Sequence, residues 1–188
     1  QYLRDLKPTN IEDLIAMNAL FRPGPMQFIP SFINRKHGTE KVEYPHPMLE
    51  GILKHTYGIM VYQEQIMQTA QIMGGFSLGG ADLLRRAMGK KDAKTMEQQK
   101  EVFIKGAAEK QVDAAKATEV FEIMQKFAEY GFNRSHSAAY SVVAYQTAYL
   151  KANYTAEYMS AVLTRNMSDI KKITFFMDEC RRLGLTVL

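Results

Sequence analysis

The reading of the chain turns on GFNRSHSAAYSVVAYQTAYLK, residues 131–151. A glycine break at Gly131 precedes the polar cluster Asn133-Arg134-Ser135-His136, and a long helical pattern follows. At about 100° per residue, His136, Tyr140, Ala144, Thr147 and Lys151 fall on one face, with Ser137 and Ser141 beside them. Val142, Val143, Tyr149 and Leu150 fall on the opposite face, which is expected to pack while the first faces a surface or cleft. From Gly131 through Ala156 there is no Asp or Glu. The segment therefore suits an electron-rich neighbour.

Outward from this stretch the spacing predicts an all-α chain, because apolar residues recur every three or four positions with almost no strand-like alternation. Thr9-Asn10-Ile11-Glu12 reads as a capping box opening a helix to Leu20, which Pro23 and Pro25 must end. Short helices are expected over Ser31–His37 and from Pro47 to His55, with an extended Lys41–Pro47 stretch between them and an extended link at Gly58–Val61. Tyr62–Met73 carries an apolar stripe of Ile66, Met67, Ala70 and Met73 and stops at Gly74 and Gly75. A glycine-rich turn then leads to a short helix bearing Arg85 and Arg86. That helix stops at Gly89, and Asp92 caps a new one running from Ala93 to Lys110, with Met96, Val102 and Phe103 inward. Asp113 caps the next helix, whose Ala117, Val120, Phe121, Met124, Phe127 and Ala128 should form the centre of the core; burying Phe121 contributes about 1.5–3 kcal/mol. Thr155 and Asp169 are expected to cap the last two helices, the second closing at Gly184. Leu185–Leu188 is an apolar, β-prone run, and with a start lacking Met it suggests a piece of a longer protein. The expected division is a helical region over 1–184 and the start of a following segment at 185–188.

Composition sets outer bounds. The chain has 188 residues, 46% hydrophobic and 23% charged, with net charge +4. It is long enough to bury roughly 70% of its unfolded surface, and its mild basicity suits an anionic partner without requiring one. No apolar run approaches the roughly 20 residues of a membrane span. One cysteine, Cys180, and twelve methionines suit a reducing compartment, and the cytoplasm is expected.

Four histidines and one cysteine lack metal-ligand spacing. Ser135, His136 and Ser137 are sequence neighbours at a helix start and do not face one another as a triad. Carboxylates are mostly interleaved with Lys or Arg, as on solvated faces. They are not clustered to hold two metal ions about 3.5–4 Å apart.

Three donor-rich elements remain. Arg85, Arg86, Lys90 and Lys91 suit phosphate, or equally a solvated helix end that favours cations. Asn133, Arg134, Ser135 and His136 form either an anion seat with free backbone N–H groups or a helix start capped by Ser135. Phe21, Arg22, Pro23, Gly24, Pro25 and Met26 form a stiff loop that braces a partner or only turns the chain. Tyr62-Gln63-Glu64-Gln65 belongs to this third element, bracing a partner with the loop or serving as a wet helix start.

FRPGPM, FINRKHG, YGIMVYQEQIMQTAQ, GGADLLRRAMGKK and GFNRSHSAAYSVVAYQTAYLKANY together resemble, in the same order, the motifs of the bacterial C-family replicative DNA polymerases, the DNA polymerase III alpha subunits. The resemblance covers nearly the whole chain and falls on the fingers. Thr155 stands where relatives commonly have proline, and Arg134 where lysine also occurs. The resemblance implies helical fingers that close over an incoming deoxynucleoside triphosphate (dNTP) and the templating base. It implies nucleotide contacts from Arg85, Arg86, Asn133, Arg134, His136 and Tyr140, and phosphate or DNA-backbone contacts from Lys90, Lys91 and Lys151. The 21–25 loop would be a structural loop near the site. It places Mg2+ and the catalytic aspartates in a palm outside this chain, so no catalytic or metal residue is expected here and the fragment alone would be inactive. Implied partners are primer-template DNA, the palm and other domains, and the sliding clamp and replisome subunits, with no membrane. A different reading of the residues is a stand-alone helical nucleic-acid-binding module without catalysis.

Overall fold

The computed structural model describes residues 1–90, 93–128 and 130–187. Its helices are α1 (Tyr2–Leu6), α2 (Ile11–Leu20), α3 (Ile29–Lys36), α4 (Glu50–Leu53), α5 (Gln63–Gly74), α6 (Leu78–Lys90), α7 (Ala93–Glu109), α8 (Ala114–Ala128), α9 (Arg134–Asn153), α10 (Thr155–Arg165) and α11 (Ile170–Arg182). Short 3-10 turns lie at Pro25–Phe28, Pro47–Leu49 and Lys54–Thr56. The chain is all-α, as the spacing predicts; among the described residues, β pairing is confined to a bridge between Tyr62 and Phe132. Gln1–Ala139 and Tyr140–Leu188 form two compact units.

In the first unit, α1 was not anticipated. Helix α2 starts one residue later than the expected capping box: Asn10 is the cap, and its side chain accepts from the Asp13 backbone N–H at 3.1 Å. The reason lies in Asp13, which is 2% exposed. Its carboxylate takes the Thr9 N–H at 2.9 Å and the Tyr57 hydroxyl at 3.2 Å, and it pairs with Lys36 at 3.4 Å. Only the later register places Asp13 in the third helical position, where it can do all of this.

Helix α6 also departs from expectation. Gly79, Gly80 and Gly89 lie inside it rather than bounding it, so the local cost of glycine is overridden by burial of Ala81, Leu84, Ala87 and Met88. The cap placed on Asp92, like Lys91, lies outside the described residues. Val102 is 51% exposed, although Met96 and Phe103 point inward as expected.

Two hydrophobic clusters fill this unit. One gathers Leu6, Ile15, Leu20, Ile29, Phe32 and Val61. The other gathers Leu53, Ile66, Met73, Leu84, Phe103, Phe121 and Met124. Phe127 packs against both. Phe121 is 1% exposed, and its ring centroid lies 5.5 Å from that of Phe103. Helices α5 and α7 cross where a Cβ on Gly106 would run into the Gly74 carbonyl, so the crossing depends on glycine. Asp113 caps α8 through Ala115 N–H at 2.9 Å and Lys116 N–H at 3.2 Å.

In the second unit, α10 packs on α11, and Met159 and Cys180 are buried. Asp169 caps α11 by accepting from Lys172 N–H. Thr155 does not cap α10; its hydroxyl donates back to the Lys151 carbonyl at 2.9 Å. Val142, Val143, Tyr149 and Leu150, the expected packed face, are each 45–56% exposed. At about 100° per residue Val142 and Tyr149 do stand opposite the His136–Lys151 face, but Val143 and Leu150 stand only about 60–80° from its centre, so the four do not form the single packed face expected.

Candidate functional site

The site is built around the start of α5. Gln65 is buried, and its Oε1 accepts the Val61 and Tyr62 backbone N–H groups at 2.8 and 3.0 Å. Its Nε2 donates to the Thr56 hydroxyl at 2.9 Å and the Ile52 carbonyl at 3.1 Å. That side chain locks the entry to the helix. The neighbouring strand-like link is then stapled on: Phe132 N–H donates to the Val61 carbonyl at 3.1 Å, and Gln63 N–H donates to the Phe132 carbonyl at 3.0 Å. The wet-helix-start reading of Gln63, Glu64 and Gln65 therefore does not describe this segment.

This staple delivers the start of α9 to Glu64. Glu64 Oε1 accepts from Asn133 Nδ2 at 3.0 Å, and both carboxylate oxygens lie 3.1 Å from the Arg134 backbone N. Asn133 Oδ1 accepts the His136 N–H at 2.8 Å. The cap of α9 is thus Asn133, not Ser135, and the anion at the helix start is an internal carboxylate. Such a carboxylate satisfies both the unpaired N–H groups and the positive end of the helix dipole. Of the expected row of free backbone donors, the Arg134, His136 and Ser137 N–H groups are already engaged.

The side chains projecting from this start are held in turn. Arg134 Nη2 lies 2.5 Å from Glu12 Oε1, and the guanidinium sits 5.9 Å from the Tyr62 ring centroid. The Glu12 bond holds the Arg134 pKa above its ordinary value. Burial, and then the Glu12 charge, push the Tyr62 hydroxyl well above the ordinary tyrosine range. Beside them lies a recess of about 430 Å³, lined by Glu12, His55, Tyr62, Glu64, Arg134 and Ser135 among others. His136 is exposed and its ring meets Phe132 edge-on at 5.4 Å. Ser137, expected beside the donor face, is instead buried, its hydroxyl donating to the Ile15 carbonyl at 2.7 Å.

Helix α6 approaches the same staple from another side. Arg85 donates through Nε and Nη2 to Asp82 Oδ1 at 3.0 and 2.8 Å, and through Nη1 to Gln63 Oε1 at 3.4 Å. Arg86, whose side chain is 64% exposed, pairs with the other Asp82 oxygen at 2.8 Å. Lys90 is exposed at the end of the helix. The 21–25 loop adds a brace: Arg22 Nη2 donates to the Tyr130 carbonyl at 2.5 Å and Nε to the Ala19 carbonyl at 2.9 Å, with the guanidinium 4.4 Å from the Phe132 ring centroid. Gly24 has φ +94°, and a Cβ there would enter the Tyr130 ring. Pro25 is buried and Phe21 is exposed, with Pro23 in the turn between them.

The structure therefore brings Arg22, Arg85, Asn133, Arg134 and His136 together around Gln63, Glu64 and Phe132. Tyr140 and Lys151 belong to the second unit, where Tyr140 is 62% exposed and Lys151 pairs with Glu179 at 2.5 Å. The sequence names Glu12 in a capping box and Gln63 and Glu64 as a brace or wet helix start, but does not pair them with these donors, and Asp82 is not singled out at all. Asp82 carried a signal, lying three and four residues before Arg85 and Arg86. Glu64 carried none that connected it to a residue 70 positions away.

Fold and site define an all-helical module that gathers guanidinium, amide and imidazole groups at a helix start. Residues 1–111 match the bacterial DNA polymerase III alpha subunit finger domain, and the chain belongs to that family. It is 55% identical over 188 residues to the DNA polymerase III subunit alpha of Borreliella burgdorferi, covering 100% of this chain and 16% of that one. It is 57% identical over 186 residues to the subunit of Xylella fastidiosa (strain Temecula1), covering 99% and 16%. It is 50% identical over 193 aligned residues to that of Escherichia coli (strain K12), covering 99% and 17%. The chain thus spans 16–17% of the length of these relatives.

Proposed function

We infer that, within a longer DNA polymerase III alpha subunit, this chain forms the fingers that contact the incoming dNTP and the templating base during DNA-templated DNA synthesis. The observation that carries this reading is the convergence of Arg85, Asn133 and Arg134 on one scaffold, the first turn of α5, with His136 held to it through Asn133. A guanidinium has five N–H donors, so Asp82 and Gln63 orient Arg85 without exhausting it. An arginine so held meets phosphate bidentately with little further ordering. Placed against the β- and γ-phosphates, Arg85 and Arg86 would offset charge developing on the departing pyrophosphate. Each charge-assisted hydrogen bond of this kind contributes about 1.5–3 kcal/mol.

The carboxylates nearest these arginines do not suit a catalytic metal. Asp82, Glu12 and Glu64 are each committed to a guanidinium or a helix start, and among the described residues no three metal-ligating side chains come together. Mg2+ and the transfer chemistry are assigned to palm residues outside this chain. Lys90, Lys91 and Lys151 are assigned to phosphate or DNA backbone, and Tyr140 to the nucleotide. Primer-template DNA, the palm and other domains of the same polypeptide, and the clamp and replisome subunits are the proposed partners, in the cytoplasm. The chain alone would not polymerise.

The test is steady-state single-nucleotide incorporation by the full-length polymerase carrying Arg85→Ala, Arg86→Ala or His136→Ala, with circular dichroism to verify folding. The expected result is a fall in kcat/KM for dNTP of at least about tenfold, equivalent to about 1.4 kcal/mol, with primer-template affinity retained. A fall in DNA affinity alone, steeply salt-dependent, would make the basic residues a backbone clamp and overturn the reading.

A further inference from the structure

We propose that Gln63 and Glu64 are positioning residues for the nucleotide site, fixing Arg85 and the start of α9 in one relation to each other. The proposal rests on the reading that these donors face the incoming triphosphate. Arg85 and Arg134 belong to separate helices, 22 and 70 residues from their respective partners in this pair. Adjacent side chains at the start of α5 tie both down.

Gln63 does this with the two ends of one amide. Its Nε2 donates to the Gly131 carbonyl at 3.2 Å, and its Oε1 accepts from Arg85 Nη1 at 3.4 Å. A glutamate of the same length would set an oxygen against the Gly131 carbonyl, so the position calls for a donor at one end and an acceptor at the other.

Glu64 acts through Asn133. A carboxylate only accepts hydrogen bonds, so it turns Asn133 Nδ2 toward itself and leaves Oδ1 facing the His136 N–H. The amide orientation of Asn133, and with it the first turn that carries Arg134 and His136, is thereby set from α5. Glu64 is not itself a ligand for a triphosphate, because its negative charge would oppose one. Its contribution is geometric, which separates it from a charge effect. A glutamine at 64 removes the charge and keeps an oxygen able to accept from both Asn133 Nδ2 and Arg134 N, as Glu64 Oε1 does, but gives up the second acceptor that Oε2 offers to Arg134 N, so its recovery is expected to be incomplete.

The experiment compares Gln63→Ala, Gln63→Glu, Glu64→Ala and Glu64→Gln in the full-length polymerase, with Arg85→Ala and His136→Ala alongside. Single-nucleotide incorporation gives KM and kcat for dNTP, primer-template affinity is measured separately, and thermal melting follows folding. Gln63→Ala and Glu64→Ala are expected to lower kcat/KM about tenfold, chiefly through KM, at unchanged DNA affinity, whereas Glu64→Gln recovers activity to within about threefold of wild type. Equal losses in Glu64→Ala and Glu64→Gln would overturn the proposal, since charge rather than geometry would then matter. So would unchanged kinetics in Gln63→Ala and Glu64→Ala. If either truncation fails to fold, Gln63→Glu carries the test: loss of about tenfold in kcat/KM supports the proposal and unchanged kcat/KM overturns it. Losses in Arg85→Ala and His136→Ala without losses at Gln63 and Glu64 would sink this proposal alone. No loss at Arg85 or His136 would sink the site reading and this proposal with it.

Discussion

Asp82 and Arg85 stand one turn apart on α6, and a single oxygen of the aspartate receives both Nε and Nη2 of the arginine, at 3.0 and 2.8 Å. The other oxygen takes Arg86 at 2.8 Å. One carboxylate thus sets the direction of two adjacent guanidinium groups on the exposed side of the helix.

This pairing predicts an acid-resistant aspartate. The Arg85 bond, foremost, holds the Asp82 carboxyl below its ordinary pKa. A depressed folded-state value means that the pair stabilises the fold above the unfolded pKa of about 3.9 and loses that contribution as pH falls through the lower folded value. Carbon-detected NMR titration of the carboxyl groups should show Asp82 still ionised where unperturbed aspartates are half protonated. Arg85→Ala should move its titration back toward the ordinary range. An unshifted Asp82 in the wild-type chain would contradict the geometry.

Asp13 should matter far more to stability than any exposed pair. It is 2% exposed, and its carboxylate serves Thr9, Tyr57 and Lys36, the lysine side chain itself being 8% exposed. Removing one partner strands the rest in a poorly solvated place. Asp13→Ala is expected to cost about 3–5 kcal/mol, against under about 1 kcal/mol for removing the exposed Lys116–Glu119 pair. Urea unfolding of the two variants checks the ranking; equal midpoints would refute it.

The crossing of α5 and α7 gives a third test. With the Gly74 carbonyl in the way of a Cβ on Gly106, Gly106→Ala must push the helices apart. The α5 side of this crossing carries the core residues Ile66 and Met73, and the α7 side Phe103. Overpacking of this kind costs about 1–3 kcal/mol, despite the better helix propensity of alanine. A melting temperature at or above wild type would show that the crossing yields freely.

These particulars explain what the sequence disclosed. Most helices, though not α1, and the core of α8 were legible, because Asp113 and Gly75 are unambiguous local signals and Phe121 keeps helical spacing. The start of α2 was not, since Thr9-Glu12 and Asn10-Asp13 are overlapping capping registers, and the choice is made by Lys36 and Tyr57, far away in sequence. Val102 is apolar but stands about 120° from Met96 and about 100° from Phe103 around the helix, outside the arc that α7 buries. At the site, donor residues announced themselves by type, whereas the acceptors that orient them depend on long-range pairing. Glu64 looks like any exposed glutamate until α9 arrives.

Arg22 offers the last test, because lysine preserves its charge and discards its shape. The guanidinium bonds two carbonyls at once, Ala19 at 2.9 Å and Tyr130 at 2.5 Å, and its carbon stands over the Phe132 ring at 4.4 Å from the centroid. A lysine ammonium is a compact point charge and cannot span both carbonyls while covering the ring. Burial already disfavours the charged form at this position, so a less well-bonded cation would be worse placed there. Arg22→Lys is expected to cost about 1–3 kcal/mol through the lost bond to a charged donor, and to loosen Tyr130–Phe132, the link that carries the start of α9. Amide hydrogen exchange should then quicken at Phe132 and Gln63, whose N–H groups form the bridge between the link and α5, while exchange in α8 around Phe121 stays slow. Faster exchange in both places would mean global destabilisation, and unchanged exchange in both would mean that the loop merely turns the chain.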